Sequence, residues 1–153
     1  MKKSELLLKI KNDIGQYESK LKYEDNIDKN TDSMNYIMSE YNRDNFNEIM
    51  ELSVVKLDDD ISKEELNDFK KRIDYFFSLD ASKDEEFKQF IMSISLYLTF
   101  IAKKPLHPPG FVFPNGSRVY KNENIYYCTG KNKFIKDSLS LCDYCICKEI
   151  NTK

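Results

Sequence analysis

Leu7, Ile10, Ile14, Tyr17 and Leu21 recur at helical intervals with charged residues between them, which predicts an amphipathic helix over residues 4–23. The polar run from Tyr23 to Asn30 breaks it. Met34, Ile37, Met38, Tyr41, Ile49 and Met50 outline a second helix from Asp32 to Leu52, weakened in its middle by the poor helix formers between Asn42 and Asn47. A third begins at Ser62-Lys-Glu-Glu65, a capping box in which each side chain satisfies a backbone N–H of the first turn, with Ile61 placed to staple against Leu66. Leu66, Phe69, Ile73, Phe76 and Phe77 form its apolar stripe. Ser82-Lys-Asp-Glu85 repeats the box and opens a fourth helix, whose Phe87, Phe90, Ile91, Ile94, Leu98 and Ile101 suit the centre of a bundle. Lys103 and Lys104 complement its negative end, and Pro105 forbids its continuation.

From Pro105 onward the helical rhythm is lost. All four prolines (Pro105, Pro108, Pro109, Pro114) and three of the four glycines fall here. Phe111-Val-Phe113 and Arg118-Val-Tyr120 flank Pro114-Asn-Gly-Ser117, and Asn-Gly is a strong hairpin signal. Ile125-Tyr-Tyr-Cys128 supplies a third strand, giving a small meander. The segment from Asp137 to Lys148 reads as a short helix or a turn leading into one. The expected fold is mainly α, a bundle of four to five helices with a small C-terminal β-meander and a cysteine cluster. It is read as one domain over 1–153, with a helical body (1–104) and a Pro- and Cys-rich tail (105–153).

Composition supports folding without disulfides: a chain of 153 residues buries about 70% of the surface its unfolded form exposes. The longest apolar stretch, Phe90 to Ala102, is thirteen residues, too short for a bilayer span of about 20. The amino-terminal apolar run, Leu6-Leu-Leu8, is too short for a secretory signal or anchor, so a cytoplasmic protein with reduced thiols and no membrane contact is expected. Charge is uneven. Residues 1–102 carry 15 Lys/Arg against 22 Asp/Glu, a net −7, and residues 103–153 carry 9 against 4, a net +5. Attraction between the two halves explains this asymmetry more simply than a nucleic-acid partner does. Tyr126, Tyr127, Phe111 and Phe113 raise the question of base stacking, but strand alternation turns half of such residues toward the body.

The chemistry is concentrated at one end. All four cysteines, Cys128, Cys142, Cys145 and Cys147, lie in the last 26 residues, and the only histidine, His107, precedes them. Cys142-x-x-Cys145 has the spacing that lets two thiolates grip one tetrahedral ion from a tight turn. Cys128 could supply a third ligand, and His107 or Cys147 a fourth, closing a structural zinc site. The same pair could cycle between dithiol and disulfide, although it lacks the strand-then-helix context of a thioredoxin. A Cys128–His107 dyad oriented by Asp137 or Asp143 would permit nucleophilic catalysis. Buried cysteines can also be plain hydrophobes. No phosphate loop, nucleophile elbow, paired-histidine protease motif or EF-hand loop is present.

His107-Pro-x-Gly110, Phe113-Pro-x-Gly116, Tyr126-Tyr-Cys128-x-x-Lys131 and Cys142-x-x-Cys145 together resemble the carboxyl-terminal signature of an uncharacterised family of methanogenic archaea, domain of unknown function 2115 (uncharacterised protein family 0305). The likeness covers residues 105–147, with Thr129-Gly130 and Asn115 departing from the pattern. It implies that His107, Cys128, Cys142 and Cys145 are the family positions and Cys147 an addition, and it implies no activity. The expected function is a non-catalytic, zinc-stabilised module that acts through a protein partner. A thiol-dependent enzyme or redox protein, and a nucleic-acid-binding accessory protein, are the alternatives.

Overall fold

The computed structural model describes residues 1–17, 33–53, 59–79, 85–131 and 140–149. Helix α1 spans Lys3–Ile14, burying Leu6, Leu7, Ile10 and Ile14, and tightens into a 3₁₀ turn over Gly15–Tyr17. The predicted stripe is there, but the α-helix stops earlier than its pattern, where Gly15 disfavours continuation. Residues 18–32, with the end of the predicted helix and the polar break, lie outside the described residues.

Helix α2 spans Ser33–Glu51 without interruption. Its Asn-rich middle is held by a buried polar contact: Asn45 is 1% exposed, donates from Nδ2 to the Tyr41 carbonyl at 2.8 Å and accepts from Lys104 Nζ at 3.4 Å. Helix α3 spans Lys63–Ser78, and Ser62 Oγ accepts from the Glu65 N–H at 3.2 Å, as the capping box requires. Leu66, Phe69, Ile73 and Phe77 are buried, whereas Phe76 is 65% exposed and leaves the predicted stripe. The spacing of the four buried residues rotates the core-facing line past Phe76.

Helix α4 begins at Glu85 and runs to Leu96; Ser82 of the second capping box lies outside the described residues. It continues as a π-helical stretch, Tyr97–Ala102, which the sequence pattern did not reveal. Ser93 to Ile101 are buried without a break, and α4 touches α1, α2 and α3, so it occupies the centre as expected. Lys103 ends it in the left-handed conformation (φ 54°, ψ 50°), with the Lys104 N–H on the Leu98 carbonyl at 2.9 Å and Pro105 buried behind. Glu48 of α2 grips this end, accepting from Lys104 Nζ at 2.5 Å and from the Tyr97 hydroxyl. Burial raises the Glu48 pKa, but those hydrogen bonds and the Lys104 charge outweigh it and hold the carboxyl below its ordinary range.

In the tail, strands β1 (Val119–Asn122) and β2 (Ile125–Cys128) pair antiparallel, with Val119 opposite Cys128 and Tyr120 opposite Tyr127. The Asn115-Gly116 turn forms: the Phe113 N–H reaches the Ser117 carbonyl at 2.7 Å, Asn115 Oδ1 accepts from the Ser117 N–H at 2.9 Å, and Gly116 takes φ +87°. The predicted third strand, Ile125–Cys128, is β2, whereas the first, Phe111–Phe113, does not form. Residues 111–113 contribute a single bridge, Val112 to Arg118, because Pro109 and Pro114 confine the ladder to the residues between them. The opposite edge of β2 is instead met by Lys148 in a parallel bridge to Tyr127. Among the described residues no helix is long and apolar enough to cross a membrane.

Candidate functional site

Ser140 starts the turn that carries Cys142 and Cys145. Its Oγ accepts from the Cys142 N–H at 3.1 Å, and a 3₁₀ turn over Leu141–Asp143 follows, closed by the Tyr144 and Cys145 N–H groups on the Leu141 carbonyl. The two residues between Cys142 and Cys145 fasten this turn to the body. Tyr144 donates to Asp68 Oδ2 at 2.5 Å and sets its ring edge-on against Phe69 at 5.4 Å and tilted against Phe100 at 6.1 Å. Arg72 lies over that ring at 4.9 Å, pairs with Asp68 at 3.0 Å and Asp143 at 3.5 Å, and donates to the Ser140 carbonyl at 2.7 Å. Burial and the Asp68 hydrogen bond push the Tyr144 phenol up to about 12, keeping it a donor.

Beyond the turn, the Lys148 N–H bonds the Tyr126 carbonyl at 2.9 Å and the Cys128 N–H bonds the Lys148 carbonyl at 3.1 Å. That pairing brings Cys147, 2% exposed, to the inner side of the hairpin. The Cys145 and Cys147 thiols influence each other's acidity in opposite directions. Lys131, 9% exposed, donates from Nζ to the carbonyls of Cys145 at 2.7 Å and Cys147 at 2.6 Å.

These contacts divide the thiols. The Cys147 thiol lowers Cys145 against the cost of burial, aided by the Leu106 and Cys147 backbone N–H groups and the Lys131 charge. The Cys145 thiol, burial and the Cys145 charge raise Cys147. Burial pushes Cys142 up against the Ser140 hydrogen bond, with Cys145 and Cys128 adding like charge. All four cysteines are free thiols within electrostatic reach of this centre.

His107 takes another place. Its ring sits between Phe111 (4.9 Å) and Phe113 (4.7 Å), and burial drives its pKa down to about 4. Among the described residues, no three His, Cys, Asp or Glu side chains are grouped so that they could hold a metal ion. Lys131 thus places a cation beside the Cys145 and Cys147 backbone, while the His107 ring is held between two phenylalanines. Lys131 was visible in the Cys128-x-x-Lys131 spacing but carried no role there. Arg72 and Tyr144 gave no local signal, since their partners lie some seventy residues away.

A helical body that clamps a thiol-bearing, proline-rich tail is the class of protein this fold and site define. A family model described as an uncharacterized protein conserved in archaea (DUF2115) matches residues 2–150, and the chain belongs to that family. It is 40% identical over 115 residues to a UPF0305 protein of Methanocaldococcus jannaschii, covering 74% of this chain and 70% of that one. A UPF0305 protein of Methanococcus maripaludis strain C6 is 36% identical over 94 residues, 61% of this chain and 57% of its own. One from Methanothermobacter thermautotrophicus is 43% identical over 54 residues, 35% of each. No solved structure matches the chain.

Proposed function

We propose that the chain is a thiol–disulfide redox module whose working pair is Cys145 and Cys147. The observation that carries this reading is the buried Lys131 ammonium, which donates to the carbonyls of both Cys145 and Cys147 and so sets a cation beside the two thiols. A thiolate with a cation and N–H donors around it is the nucleophile that disulfide exchange needs. Cys145 attacks one sulfur of a partner disulfide, forming a mixed disulfide and expelling the other sulfur as a thiolate that takes a proton. Cys147 gives its proton to solvent and attacks Cys145 Sγ, releasing the second partner thiolate. Two electrons thus pass to the partner and the pair ends oxidised.

The test is to challenge reduced full-length protein, purified without chelator, with oxidised glutathione and to map the products by mass spectrometry. A Cys145–Cys147 disulfide is expected; Cys147→Ser should trap glutathione on Cys145, and Cys145→Ser should abolish the adduct. Glutathione adding to Cys145→Ser at the parent's rate would sink the reading. A zinc clasp by Cys128, Cys142, Cys145 and Cys147 is the second reading, supported by the Cys142-x-x-Cys145 spacing and by Lys131, which would offset the negative charge of four thiolates. Stoichiometric zinc, with the thiols blocked to alkylation until a chelator is added, would favour it over the first.

A further inference from the structure

We infer that the outer face of the β1–β2 hairpin binds single-stranded nucleic acid. Strand alternation sorts the residues of this hairpin onto two faces. Val119 and Cys147, each 2% exposed, mark the inner side. Arg118, Tyr120 and Tyr127 alternate to the other, where Lys148 is in register beside Tyr127. The Tyr120 and Tyr127 rings stack at 5.4 Å with planes 23° apart, and both are half-buried, so one side of this platform meets solvent. Arg118 lies over the Tyr120 ring at 5.6 Å, and Arg118 and Lys148 are both exposed at the two flanks.

Glu123 and Glu149, the exposed acids adjoining these segments in sequence, lie in the hairpin turn and one position past Lys148, where alternation directs the Glu149 side chain to the other face. Aromatic rings that receive bases, flanked by cations that receive phosphates, are the two elements of sequence-tolerant single-strand binding. The surrounding tail has the matching sign, 9 Lys/Arg against 4 Asp/Glu over residues 103–153, while the acidic body repels phosphate and directs it to this end. A cross-strand tyrosine pair also steadies the hairpin, a role that leaves its outer side available.

The test measures anisotropy of a fluorescein-labelled single-stranded oligouridylate with the full chain, under reductant so that the result is independent of the thiol reading. Saturable binding is expected, weakened about tenfold by Tyr120→Leu or Tyr127→Leu, which keep apolar bulk and remove the ring face. Arg118→Gln and Lys148→Gln should each flatten the dependence of log Kd on log salt by about 0.7. They leave the ring pair in place and so test the face even if a tyrosine variant fails to fold. Absence of binding at low salt, tyrosine variants as tight as the parent, or equal affinity for a duplex would overturn the proposal. Tighter capture of an acidic peptide than of the oligonucleotide would overturn it too, in favour of a protein partner.

Discussion

At the scale of single residues, His107 changed most between pattern and structure. An imidazole near thiols reads as a ligand because the two share metal chemistry, yet Phe111 and Phe113 enclose the ring. The enclosure was latent in the sequence, since alternate positions of an extended segment share a face, but the Gly110 turn that folds this face over His107 (φ +94°) was not readable as such. Its consequence is a pH effect. The folded pKa, about 4, lies below the ordinary 6.5, so on acidification the unfolded chain takes up the proton first. Stability from this group is complete above pH 6.5 and falls as pH drops toward 4, by up to about 3 kcal/mol. Urea unfolding at pH 7 and 4.5 should show the loss in the parent and not in His107→Phe. An equal loss in both would assign the acid sensitivity elsewhere.

Elements were legible where their causes were local. The Ser62 cap, the helical stripes, the stop at Pro105 and the Asn115-Gly116 turn each depend on a few neighbouring residues, and each is present. The π-helical stretch and the Lys148 bridge were not, because both are decided by distant partners: Glu48 receiving the Tyr97 hydroxyl, and β2 offering an open edge. The junction after α4 also places a lysine, Lys103, where the backbone favours glycine. Lys103→Gly should relieve this left-handed strain and stabilise the fold by about 0.5–1 kcal/mol. Differential scanning calorimetry would read it as a Tm increase of roughly 1–4 °C, and an unchanged or lower Tm would contradict it.

For the molecule as a whole, the decisive interaction is the docking of tail on body. The tight turn between Cys142 and Cys145 was apparent from their spacing, but the clamp that holds it lies in Asp68, Phe69 and Arg72 of α3, invisible until the chain is folded. Tyr144→Phe removes only the hydrogen bond to Asp68 and should cost about 1 kcal/mol. Tyr144→Ala also removes the ring that Phe69, Phe100 and Arg72 hold, at about 3 kcal/mol, and should accelerate alkylation of Cys142 and Cys145. Alkylation at the parent's rate in Tyr144→Ala would mean that another contact keeps the turn in place.

The Lys148 bridge to β2 has a bearing on biogenesis. Synthesis runs from the amino terminus, so Cys128 and Lys131 are added to the chain before the segment bearing the other three cysteines. Until residues 142–148 are added, Cys128 has no intramolecular thiol partner and the β2 edge has no Lys148 to meet it. A chain cut after Lys131 would carry one solitary thiol beside an open strand edge, and residues 140–148 both close that edge and complete the cluster.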